Sequence, residues 1–101
     1  MPRISRQDAE RLLENVAEEY VFRCCDGCIL RNMRELGEAF TTMTDEIFAF
    51  HSNAQKRDFS NWVSDIIGDG KLARDLEKSL NRTQAAKNVA QRIAFLHSKL
   101  A

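Results

Sequence analysis

Cys25-Asp26-Gly27-Cys28 carries the sharpest chemistry in this 101-residue chain. Two cysteines spaced this way around a turn can present both thiols to one side. That suits Zn²⁺ or a reversible disulfide. A closed zinc site needs four ligands. There is no second CxxC, and only Cys24, His51 and His97 could join the pair. In the simplest hairpin register Cys24 points to the opposite face. A thioredoxin-type pair would open a helix, where the dipole lowers the thiol pKa. This pair falls at a hairpin tip. The plain alternative makes Cys24 a small core residue and leaves Cys25 and Cys28 as partly exposed thiols. No cofactor is expected; zinc at Cys25 and Cys28, supplemented by Cys24 or His51, is the metal-site alternative.

His51 and Asp58 form the other chemical pairing. They could act as an acid–base pair in a cleft. No nucleophile or second carboxylate is placed to complete such a site. The structural alternative has His51 bonding a helix end or loop, with Asp58 capping the next helix. No catalytic residue is assigned, and His97 receives no role. Basic residues such as Arg31, Arg34, Lys71, Arg74 and Arg92 alternate with Asp and Glu, as on a solvated surface. The Gly68-Asp69-Gly70 break faintly resembles a helix-turn-helix turn, but Lys71 and Arg74 alone are a thin base-reading set. Nucleic acid is therefore not the expected partner.

These residues are positioned by a helical scaffold. Ser5 and Asp8 resemble a capping box, and a first helix follows over about residues 6–18. Tyr20–Cys25 and Cys28–Leu30 are β-type runs around Asp26-Gly27, a strong hairpin signal. A two-residue turn puts Tyr20, Phe22, Cys24 and Ile29 on the core face. A longer bulged loop would turn Leu30 inward instead. Met33, Leu36, Phe40 and Met43 give a helix over about 33–42. Thr44 caps a short helix ending at His51, and 52–57 is a loop. Phe59, Trp62, Val63, Ile66 and Ile67 recur at helical spacing after Asp58, which sits where an N-cap belongs. Gly68 stops that helix. Asp69 caps the next, with the stripe Leu72, Ala73, Leu76 and Leu80. The last helix spans about 84–99, with Ala86, Val89, Ala90, Ile93, Leu96 and Leu100 on one face.

The expected fold is a single mainly α (α+β) domain over 1–101. One β-hairpin at about 20–31 follows the first helix, in the order αββαααα, with the short helix ending at His51 as a further piece. Its core should contain Phe22, Leu36, Phe40, Phe48, Phe59, Trp62, Val63, Ile66, Leu72 and Leu76, with Trp62 as the hub.

Composition narrows the functional classes. Hydrophobic residues are 44% and charged residues 30%, and Lys+Arg and Asp+Glu are 15 each. A zero net charge argues against a general nucleic-acid or membrane-surface coat. No apolar run approaches the ~20 residues of a membrane span, and the first ten residues contain no apolar signal core. The expected location is the cytoplasm, with reduced thiols.

Three stretches together resemble a small archaeal and bacterial domain family of unknown function. The first is Phe22-x-Cys24-x-Asp26-Gly27-x-x-Leu30-x-Asn32-x-x-Glu35-Leu36. The second is Met43-x-Asp45-Glu46-x-Phe48-x-x-His51-x-Asn53. The third is Asp58-Phe59-x-x-Trp62-Val63 with Gly68-Asp69-x-x-Leu72-Ala73. The resemblance covers about residues 20–76. It implies a mostly helical domain with an N-terminal hairpin and no assigned activity. The expected function is a non-enzymatic protein–protein interaction module, binding a protein partner or a second copy as a homodimer. Val89, Ile93, Leu96 and Leu100 either close the monomer core or form that interface. Zinc or thiol-redox chemistry at the hairpin tip is the alternative, and a nucleic-acid-associated domain the second.

Overall fold

The computed structural model describes residues 4–100. Ser5 opens α1 (Arg6–Leu13) with a reciprocal capping box. The Asp8 N–H donates to Ser5 Oγ at 3.0 Å, and the Ser5 N–H reaches Asp8 Oδ2 at 3.5 Å. This helix ends at Leu13, short of the expected residue 18. Glu14 is extended, and the Val16 N–H donates to the Arg31 carbonyl at 2.8 Å. The Asn15 side chain accepts from Asn32 Nδ2 at 2.6 Å. Bonds to a neighbouring segment thus replace the next helical turn. A 3₁₀ turn at Glu18–Tyr20 leads into the hairpin.

β1 (Phe22–Arg23) pairs antiparallel with β2 (Ile29–Leu30), Phe22 opposite Leu30 and Arg23 opposite Ile29. The Cys24 N–H donates to the Cys28 carbonyl at 2.8 Å, leaving a three-residue loop. Within it the Gly27 N–H donates to the Cys24 carbonyl at 3.0 Å, and Gly27 sits at φ +92°. A turn followed by a left-handed residue is how three-residue hairpin loops close. The longer loop is therefore the one adopted, and it reverses β2. Leu30 is buried and Ile29 exposed, the opposite of the two-residue register. Tyr20, expected inside, is 54% exposed.

Asn32 caps α2 (Met33–Thr42) and Thr44 caps α3 (Asp45–His51), each accepting from the N–H three residues on. α4 (Asp58–Trp62) continues as a π-helical turn over Val63–Ile67. Arg57, not Asp58, occupies its N-cap position, and the Asp58 carboxylate turns to His51 instead. The wider π turn shifts the helix phase, so Ile67 is buried and Ile66 only partly. Gly68 ends this helix at φ +91°. Asp69 caps α5 (Gly70–Glu77) by accepting from the Leu72 N–H at 3.1 Å. Leu80, expected on the stripe of α5, lies beyond its end and is 88% exposed. Asn81 caps α6 (Arg82–Ser98). The fold is mainly α with a small β part, one hairpin following the first helix.

The core joins all of these elements. Phe22, Leu36, Phe40, Phe59, Trp62, Val63, Leu72 and Leu76 are buried as expected, while Phe48 and Ile66 pack at the edge. The aromatic centre is Phe59 rather than Trp62. Its ring lies about 5 Å from those of Phe22 and Phe40, with Phe48 and His51 next. Trp62 borders this cluster and donates its indole N–H to the Tyr20 carbonyl at 2.7 Å. α2 runs against α6, and Gly37 marks their close approach. A Cβ there would stand 2.9 Å from Val89 Cγ1. Arg92 of α6 is buried and forms a two-bond pair with Asp69, Nε to Oδ2 at 2.7 Å and a terminal nitrogen to Oδ1 at 3.0 Å.

Gly37→Ala should lower unfolding stability by about 1–3 kcal/mol, because β-branched Val89 has little rotamer freedom to yield. Urea titration should show part of that loss relieved when Val89→Ala is added. In the same assay Arg92→Met should cost about 3–5 kcal/mol by stranding the Asp69 carboxylate. Arg92→Lys should recover only part of it, since one ammonium cannot reproduce the fork.

Candidate functional site

The three-residue loop decides which cysteines meet. Cys24 and Cys28 face each other across the ladder, on the same side of the hairpin. Cys24 Sγ, Cys28 Sγ and an Asp26 carboxylate oxygen all lie within 4.8 Å of one another. Cys24 is buried, whereas Asp26 and Cys28 are exposed. The sulfur of Cys25, half of the expected CxxC pair, is outside this group and exposed. The gathered set is thus Cys24, Asp26 and Cys28. Asp26 was missed in the sequence because its place depends on loop length. Its Oδ1 accepts from the Cys28 N–H at 3.1 Å, which holds the carboxylate over the turn.

Burial pushes the Cys24 thiol up to about 12, with Cys28 and Asp26 adding to the effect. Removing water disfavours the thiolate, and neighbouring negative charge disfavours it further. Without a cation, Cys24 is a protonated, hydrogen-bonding core thiol. It is a poor nucleophile for disulfide exchange.

His51 supports the loop from behind. Its Nε2 accepts from the Cys25 N–H at 3.0 Å, and its Nδ1 lies 2.9 Å from Asp58 Oδ2. The first bond requires a lone pair on Nε2, so the ring proton sits on Nδ1 and donates to Asp58. Lys56 Nζ adds a cation 3.5 Å from the same carboxylate oxygen. His51 is buried, and its ring packs against Phe22, Phe50 and Phe59. Both nitrogens are committed, so His51 is neither a free base nor a ligand of the sulfur group. His97 lines the groove between α2 and α6 and is not among the residues gathered at the tip.

That groove is the other candidate. It is lined by Gly37 and Thr41 of α2 and by Ala86, Ala90, Ile93 and Ala94 of α6, with Arg34 and Glu38 at its rim. Val89 and Leu96, offered for an interface by the sequence pattern, are fully buried in the monomer. Ala90 and Ala94 are exposed, and Ile93 is half-buried. A separate open basin of about 720 Å³ has Asp69 and Arg92 in its lining, with charges of both signs around them. Arg92 is already spent on Asp69. It was missed as a buried residue, although the spacing Ala85, Val89, Arg92, Leu96 is a helical stripe and could have flagged it.

The chain matches no family model, no curated protein and no solved structure.

The raised Cys24 pKa carries a definite pH dependence. The native state retains a proton that the unfolded chain releases from about pH 9.0. Stabilisation from this group should therefore be complete below pH 9.0 and lost as pH rises toward about 12. Urea midpoints of reduced, metal-free protein should fall over that window. Cys24→Ala should fall less steeply.

Proposed function

We propose that this chain is a small non-enzymatic interaction module that self-associates through the groove between α2 and α6. The observation that carries the reading is the strip Ala86, Ala90 and Ala94 on α6, the first half-buried and the other two on the surface, beside the close packing at Gly37. Small side chains let a second helix approach without loss of contact. A groove with one apolar floor and both charge signs at its rim is self-complementary under a two-fold axis. Arg34 of one copy can then meet Glu38 of the other. Within one copy these two already pair at 2.7 Å, so the rim exchanges an exposed ion pair for an intermolecular one.

The committed nitrogens of His51 favour binding over catalysis, because the chain's buried imidazole is used to hold the hairpin. Equal numbers of Lys+Arg and Asp+Glu, 15 each, favour a protein partner over a polyanion. Among the described residues no helix is long and apolar enough to cross a membrane. We place the module in the cytoplasm, where its three cysteines would remain thiols.

Sedimentation velocity over a concentration series tests the dimer. The wild type should shift from monomer to dimer as concentration rises. Ala90→Glu and Ala94→Glu should remain monomeric with an unchanged circular-dichroism melt, since both positions are exposed. A wild type that stays monomeric throughout would sink the proposal.

A further inference from the structure

We infer that the hairpin tip binds one thiophilic divalent cation, Zn²⁺ foremost, through Cys24 Sγ, Cys28 Sγ and an Asp26 carboxylate oxygen, with water as the fourth ligand. The three ligand atoms already lie within 4.8 Å of one another. Two sulfurs on one tetrahedral zinc stand about 3.8 Å apart, given Zn–S bonds of about 2.3 Å. That spacing lies inside the 4.8 Å limit, and the Cys28 side chain is exposed.

The backbone around the three ligands is held by bonds internal to the fold. Gly27 supplies the left-handed residue of the loop. Asp26 Oδ1 takes the Cys28 N–H, which leaves the other carboxylate oxygen free. The Cys24 N–H is tied to the Cys28 carbonyl, and the Cys25 N–H to His51. The ordering cost of the site is therefore met by the fold. Two thiolates and a carboxylate bring three negative charges together, which a dication relieves. Thiolate ligands select Zn²⁺ over Mg²⁺ or Ca²⁺. Each binding event releases two thiol protons, one from each cysteine. With the ion in place, the buried cysteine forms the inner wall and the two exposed ligands leave a path to solvent.

Co²⁺ titration of reduced protein under nitrogen tests the inference. One equivalent should bind, giving sulfur-to-cobalt charge-transfer absorption and tetrahedral visible bands, and Zn²⁺ should displace it. Cys28→Ser should abolish the charge-transfer bands, and Asp26→Ala should weaken binding. Cys25→Ser should bind like the wild type, and so should the monomeric variant Ala90→Glu. The first separates this set from a CxxC site, and the second separates the inference from the proposed dimer. Absence of stoichiometric uptake would overturn the inference. So would an octahedral spectrum without thiolate bands, or loss of binding in Cys25→Ser as complete as in Cys28→Ser.

Discussion

Arg92 occupies a buried position on α6, where an unmatched guanidinium would cost several kcal/mol. Asp69 meets it with two parallel bonds, and the same carboxylate caps α5 through the Leu72 N–H. One side chain thus sets where α5 begins and where α6 docks. Asp69 can face α6 because Gly68 turns the chain through a left-handed conformation just before it. The Gly68 and Asp69 N–H groups both end on the Val63 carbonyl, which closes the π turn. With α6 placed, Val89 reaches Gly37 and fixes the spacing to α2. The surface groove is the outer edge of that contact.

The hairpin depends on a second constraint. Two strands of two residues have little stability of their own. They are held by Phe22 and Leu30 in the core, by the Trp62 bond to the Tyr20 carbonyl, and by His51. His51 joins an end of α3, the start of α4 and the loop between the strands through one neutral ring. Shifting its proton to Nε2 would set a donor against the Cys25 N–H. The Asp58 carboxylate opposes that shift, so loop and helices share one tautomer. The sulfur group stands on this support.

What could be read from sequence is what local rules decide. Ser5, Thr44 and Asp69 each accept from a backbone N–H three residues on, a relation fixed by side-chain type and spacing. Helical periodicity likewise marked most of the core. The differences arise where distant parts compete. α1 stops at Leu13 because Val16 and Asn15 bond to Arg31 and Asn32. Asp58 leaves the capping role because a buried imidazole needs a partner. Leu80 falls outside because α5 ends at Glu77. The cysteine set changed through a single loop residue, since one added residue moves every later side chain to the other face. Arg92 looked like a surface cation because composition alone does not show that Asp69 is within reach.

Many of the core, cap and turn residues of the chain are spent on holding the scaffold. Leu30 is core, Asn32 caps, His51 bridges, Gly68 turns and Asp69 pairs. Cys24 and Asp26 alone make one buried thiol beside an ordinary turn carboxylate. Cys28 faces Cys24 across the ladder and supplies the second sulfur. The two surfaces proposed here to act are a few side chains set on a frame whose own residues are occupied in holding it. That division is what the physics favours. Capping and buried polar groups are already satisfied by internal partners, so new binding capacity must come from positions the frame leaves unspent.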